Sequence, residues 1–61
     1  MEEKIRRHFK ANKLPNPGAI NKVPGGWARG DCYAVTCGTF KLRRYCVYCI
    51  GENIHSVRFR G

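Results

Sequence analysis

The sequence predicts a small, β-rich protein with one short N-terminal helix. Residues 31–61 are rich in Val, Ile, Tyr, Phe and Thr, and glycines interrupt these runs. Residues 2–13 instead begin with two acids and end with bases, as helices tend to do. At 61 residues the chain has room for one folded unit. Such a unit buries only about 60% of its unfolded surface, so four cysteines within eighteen residues are expected to reinforce it.

The predicted helix spans residues 2–13. Ile5 and Phe9 are spaced i,i+4 and form a single narrow apolar stripe. A short helix with so little apolar surface is not stable alone in water. We therefore expect it to dock, either on its own domain or on a partner.

The segment 14–30 is predicted to be an irregular linker. It contains all three prolines and four of the seven glycines, which disfavour both a helix and a central strand. The expected organisation is a basic N-terminal arm over 1–30 and a cysteine-containing β module over 31–61. Trp27, the only tryptophan, is expected to cover an edge of the small core, with base stacking as the alternative.

Strand-forming residues dominate three segments of the β module, at 32–37, 39–50 and 54–60. In the last segment, Val57 and Phe59 alternate with Ser, Arg and Arg, which is the pattern of a half-exposed strand. The predicted architecture is a zinc-ribbon-like hairpin or a three-stranded antiparallel meander.

The four cysteines have the spacing C-x4-C-x8-C-x2-C, and thiolates in two close pairs can hold Zn²⁺ in a tetrahedron. The candidate zinc ligands are Cys32, Cys37, Cys46 and Cys49. Two alternatives stay open, namely disulfides and thiols buried as small hydrophobic groups. The strongly β-forming run "RYCVYCI" favours buried thiols, because in a regular strand Cys46 and Cys49 point to opposite faces and could not share a metal ion. His55 is a further candidate ligand if one of these thiols is not available.

The pattern "C-x4-CG-x-F … RYC-x2-C" is present as Cys32, Cys37–Gly38, Phe40 and Arg44–Tyr45–Cys46 with Cys49. It resembles the four-cysteine zinc ribbons, and among them the small-subunit ribosomal zinc protein that eukaryotes make as a ubiquitin fusion. The resemblance covers about eighteen residues, with a shorter spacer between the two pairs. It implies a zinc site and a ribonucleoprotein setting.

Charge is the second strong feature of the sequence. Twelve Lys and Arg oppose four acids, for a formal charge of +8, and no acid occurs from Lys4 to Arg29. Such a field attracts polyanions, so we expect a nucleic-acid or ribonucleoprotein partner, with an acidic protein as an alternative. Bases and aromatics interleave in "FKLRRY" and "VRFR". The candidate nucleic-acid-binding residues are Arg6, Arg7, Lys10, Lys13, Arg29, Lys41, Arg43, Arg44, Tyr45, Arg58 and Arg60.

The leading functional prediction is therefore a basic zinc-ribbon module that binds nucleic acid, with RNA favoured over DNA. The first alternative is a phage- or virus-type regulator that binds a host protein through the Ile5/Phe9 helix and inhibits or redirects it. The second alternative is a secreted, disulfide-bridged cationic peptide that acts on membranes.

Other classes of function find no support in the sequence. The four acids are scattered and offer no acid–base pair, so we expect no enzymatic activity. No signal peptide and no apolar run of membrane-spanning length is visible, which predicts a cytoplasmic protein without a membrane span.

Overall fold

The computed structural model describes residues 1–24 and 27–61. One helix precedes a four-stranded antiparallel sheet in which every strand pairs with the next along the chain, in the order β1-β2-β3-β4. The elements are α1 (Glu2–Ala11), β1 (Pro17–Trp27), β2 (Gly30–Cys37), β3 (Arg43–Ile50) and β4 (Asn53–Phe59). The predicted small β-rich fold with an N-terminal helix is confirmed, and the sheet is a meander of four strands.

The fourth strand comes from the segment predicted to be an irregular linker, and that part of the prediction was wrong. β1 is an edge strand, where proline is tolerated because one side of the strand has no ladder to complete. Pro17 is the first residue of β1, and Pro24 falls where the register shifts between Val23 and Trp27. Since β1 pairs with β2, the predicted boundary at residue 30 lies inside a hairpin.

The helix begins where the sequence predicts and ends two residues earlier, at Ala11. Asn12 closes it, because its backbone N–H and its side-chain Nδ2 both donate to the carbonyl of His8. Lys13 follows with a φ of 56°, and the chain then turns toward the sheet. Within residues 1–24 and 27–61, no helix has the length and apolar character needed to cross a bilayer.

The core lies between α1 and one face of the sheet. Ile5 and Phe9 are both completely buried there, and the ring of Phe9 meets that of Tyr45 edge-on, with centroids 5.3 Å apart. The other buried members are Val35, Cys37, Val47 and Cys49. The helix thus docks on its own domain, and its apolar stripe is not exposed for the host-protein contact that the first alternative function requires.

Two cations fasten the helix to the sheet. Arg6 Nη1 donates to the carbonyl of Pro17 at 2.7 Å, at the start of β1. Lys4 Nζ donates to the carbonyl of Glu52 at 2.6 Å, in the turn between β3 and β4. Hydrogen bonds from charged donors are stronger than neutral ones, so these contacts add to the apolar packing.

Candidate nucleic-acid interface

The register of the strands divides their side chains between two faces. Side chains alternate along a strand, so residues paired across strands share a face. We call the face under α1 the closed face and the opposite one the open face. In the described part of the chain, no helix or strand covers the open face. Its polar and aromatic members are Asn21, Trp27, Cys32, Thr36, Arg44, Cys46, Tyr48, Ser56, Arg58 and Arg60.

Three arginines lie side by side on the open face. Arg44 and Arg60 are neighbours across the strands, since the amide of Arg60 donates to the carbonyl of Arg44 at 2.7 Å. Arg58 is paired with Cys46, one step further along the same face. Like charges at adjacent cross-strand positions destabilise a sheet. The arrangement therefore costs stability unless an anion lies among the three guanidinium groups.

None of the four acids lies on the open face. Glu2 and Glu3 are on α1, where they form ion pairs with the arginines four residues later. Asp31 pairs with Lys22, with 3.4 Å between Oδ1 and Nζ, on the closed-face side of the sheet. Glu52 is in the turn after β3. The open face is therefore positively charged without local compensation.

An aromatic cluster occupies the other half of the open face. The ring of Trp27 lies 5.2 Å from that of Tyr48, at 70°, and 5.2 Å from that of His55, at 54°. With Ser56 and Arg58, these rings line an open cleft of about 340 Å³. This volume is within the range of small-ligand sites, so one flat ring system could enter.

Two irregularities in the sheet assemble this aromatic cluster. The register shifts between Tyr48 and Cys49, and this bulge leaves His55 without a cross-strand partner. Bulges commonly redirect a side chain near a functional site. Trp27 is paired with Gly30, so no side chain separates its ring from Tyr48 on the next strand. A Cβ at Gly30 would meet the carbonyl oxygen of Cys49, and only glycine fits there.

A second cleft, of about 310 Å³, lies on the same face near the end of the chain. Arg44, Cys46 and Arg60 are among the residues that line it. Arg60 Nη1 donates to Cys46 Sγ at 3.5 Å, a weak bond that holds the guanidinium over the sheet. Arg58, which lines the first cleft, is paired with Cys46, which lines the second, so the two clefts have neighbouring residues on the open face.

The structure does not bring the four cysteines together. Cys37 and Cys49 lie on the closed face, and Cys32 and Cys46 lie on the open face. Cys32 and Cys46 are neighbours on the open face. The closed-face pair is far apart, because Cys49 is paired with Asp31, six residues before Cys37, or about 20 Å along the strand. In residues 1–24 and 27–61, no three His, Cys, Asp or Glu side chains are grouped to hold a metal ion. These thiols therefore do not fit one tetrahedral ion in this arrangement, and zinc stays a prediction.

All four thiols are free and buried, which matches the interpretation of the cysteines as small buried hydrophobic groups. Burial raises the pKa of Cys37 and of Cys49. Burial, followed by the neighbouring Cys46, raises the pKa of Cys32. Since a raised pKa keeps a thiol protonated at neutral pH, the side chains of Cys32, Cys37 and Cys49 act as small apolar groups. His55, the further candidate ligand, contacts Trp27 instead.

The predicted binding residues of the helix lie on the far side of the molecule from the open face. Arg6 binds Glu2 and the Pro17 carbonyl, and Arg7 binds Glu3 at 2.7 Å. The other two predicted residues on this side, Lys10 and Lys13, are exposed. A ligand on the open face therefore does not contact this group.

The remaining predicted residues are dispersed. Tyr45 is only 8% exposed, with its ring against Phe9 and Phe59, so it does not lie on a surface where a base could stack. The exposed cations at the ends of the sheet are Arg29, Lys41 and Arg43. Of the eleven predicted positions, the structure brings Arg44, Arg58 and Arg60 onto the open face.

Sequence reasoning missed the aromatic cluster as a unit. Trp27 was expected to cover the core, and it lies on the open face instead. In a meander with this register, the alternation of side chains places Tyr48, Arg44 and Arg58 on one face, and this alternation is the signal that could have grouped them. Trp27 and His55 carry no such signal, because β1 was not predicted and His55 depends on a bulge.

No family model, curated protein or solved structure matches this chain. The resemblance to four-cysteine zinc ribbons therefore stays a prediction from the cysteine spacing.

Proposed function

We propose that this protein binds nucleic acid through the open face of its sheet. The observation that carries the proposal is the adjacency of Arg44, Arg58 and Arg60 on a face without a carboxylate. Guanidinium groups bind phosphate oxygens through paired hydrogen bonds, and a phosphate among the three relieves their mutual repulsion.

The net positive charge of the chain also supports a polyanionic partner. A net charge of +8 draws a nucleic acid to the protein from a distance, and phosphate contacts then fix its orientation. The helix cations Arg6 and Lys4 serve a different purpose, since both hold α1 on the sheet. The side chains of Arg44 and Arg58, in contrast, have no carboxylate or carbonyl partner within the described residues.

The proposal is tested by measuring the affinity for RNA and DNA oligonucleotides as salt concentration increases. Three phosphate contacts give a slope of about −2 for log Kobs against log salt on single strands. The double variant Arg44→Ala/Arg58→Ala should reduce this slope to about −0.7 and weaken binding. Its stability should not fall, because the substitutions remove a like-charge contact from an exposed surface.

The matched control is Lys10→Ala/Lys13→Ala, which removes the same charge from the helix side. It should leave the slope near its original value. Equal losses for the two double variants, or a slope that neither variant changes, would show that charge alone attracts the nucleic acid and that the open face is not its site.

A further inference from the structure

We infer that the ligand of the open face is single-stranded and that one unpaired base stacks in the cleft of Trp27, Tyr48 and His55. This inference rests on the proposed function and names its substrate class. It comes from the juxtaposition of an aromatic cleft and an arginine row on one sheet face. Aromatic rings recognise the flat face of a base, whereas arginines recognise the backbone.

The geometry of Trp27 favours a stacking role. Its ring is half-buried, with Tyr48 and His55 each 5.2 Å away and inclined to it, so the indole is held in place while the cleft stays open. A held ring loses little conformational entropy when a ligand stacks on it. A core residue would be enclosed, as Tyr45 is.

Polar groups stand at the rim of the same cleft. Arg58 lines it and leads to the other two arginines, so a base in the cleft has its own phosphate beside a guanidinium. Ser56 also lines the cleft, with its Oγ 3.3 Å from His55 Nδ1, and can exchange hydrogen bonds with a base edge. The cleft therefore offers a ring face, an edge partner and a phosphate partner to one nucleotide.

A duplex cannot use this arrangement. Its bases are stacked on one another and present only their edges in the grooves, so the ring of Trp27 would have no base face to contact. Single strands expose the face of every base, and stacking on aromatics tolerates any sequence. We therefore expect a preference for single strands of RNA or DNA with little dependence on sequence.

Trp27 is the only tryptophan, so its fluorescence reports on this cleft alone. The experiment titrates the full chain with three ligands of equal length: oligothymidylate, an abasic oligonucleotide with the same phosphates, and a duplex. Oligothymidylate should quench the fluorescence and bind most tightly. The abasic strand should bind more weakly and leave the fluorescence nearly unchanged.

Substitution of the ring separates stacking from charge. Trp27→Ala should lower the affinity for oligothymidylate by about 5- to 150-fold, in line with the loss of one base–aromatic contact. Its affinity for the abasic strand should stay the same, and Trp27→Phe should recover part of the loss. Phe40→Ala is the matched control, since Phe40 is a fully exposed aromatic in the loop between β2 and β3 and does not line the cleft.

The outcomes distinguish the two proposals. If all three ligands bind equally, without quenching, and Trp27→Ala has no effect, the base site is wrong and the phosphate surface stands. If none of the ligands binds, the proposed function itself is wrong. A duplex that binds more tightly than the single strand also overturns the inference. Circular dichroism of each variant confirms that the fold is retained.

Discussion

The two faces of the sheet are built from the same strands but carry different side chains. The closed face carries Val35, Val47 and Cys49 against the helix and has no exposed charge at its centre. The open face of the same sheet carries Arg44 on β3 and Arg58 on β4. Because one short helix covers only one face, the completely buried side chains lie there, and Cys32 and Cys46 are the buried residues of the open face within the described part of the chain. The difference shows how a 61-residue chain can form its core on one face of the sheet and leave the other without a covering helix.

The same residue types take different roles on the two faces. Tyr45 packs against Phe9 on the closed face, whereas Tyr48, three residues later, supports Trp27 on the open face. Arg6 donates hydrogen bonds to the carbonyl of Pro17 and to the carboxylate of Glu2. The side chain of Arg58 has no carboxylate or carbonyl partner among the described residues. Composition alone cannot separate these roles, since the register decides them.

The largest expected effect comes from removing the residue that joins the helix to the closed face. Phe9→Ala should cost about 3–5 kcal/mol of the free energy of unfolding, because Phe9 is 0% exposed and its loss leaves a cavity. A chain of this length has about 3–9 kcal/mol of stability in total. The variant should therefore lose at least about a third of its free energy of unfolding, which urea denaturation measures.

The control for this prediction is another phenylalanine of the same chain. Phe40 is 100% exposed, and Phe40→Ala should change the free energy of unfolding by less than about 0.5 kcal/mol. If the two variants were equally stable, the helix would not be docked on the closed face. Its apolar stripe would then again be available for a partner protein.

The smallest expected effect concerns metal. Since two thiols lie on each face, treatment with EDTA should change neither the urea midpoint nor the affinity for nucleic acid. Native mass spectrometry should give the mass of the bare chain, and thiol titration should find four free thiols after unfolding. Unfolding in EDTA that is reversed by Zn²⁺ would mean that the cysteine spacing predicted the site correctly and that the strands pair differently.

Much of the fold could be predicted from the sequence because its signals are local. The acids and bases at the ends of the helix and the Ile5/Phe9 spacing place α1 to within two residues. The strand-forming runs after residue 30 mark β2, β3 and β4. β1 could not be predicted, because its prolines are acceptable only at an edge, and edge position is a property of the whole sheet.

The candidate site was predictable only in part, for a related reason. Arg44, Arg58 and Arg60 stand out by charge, but Arg6 and Arg7 look the same in the sequence. Only tertiary contacts show that Arg6 is engaged by α1 and β1. The cysteine spacing is equally ambiguous, since C-x2-C can form a metal-binding turn or place two thiols on opposite faces of a strand, as β3 does.

The most direct measurement is a nuclear magnetic resonance titration of the ¹⁵N-labelled chain with a single-stranded oligonucleotide, following the arginine Nε–H and tryptophan indole signals. If the open face binds the ligand, the signals of Arg44, Arg58, Arg60 and Trp27 should move together, while those of Arg6 and Arg7 stay in place. Movement of Arg6 and Arg7 with Arg58 and Trp27 unchanged would place the ligand on the helix and contradict the assignment of the open face.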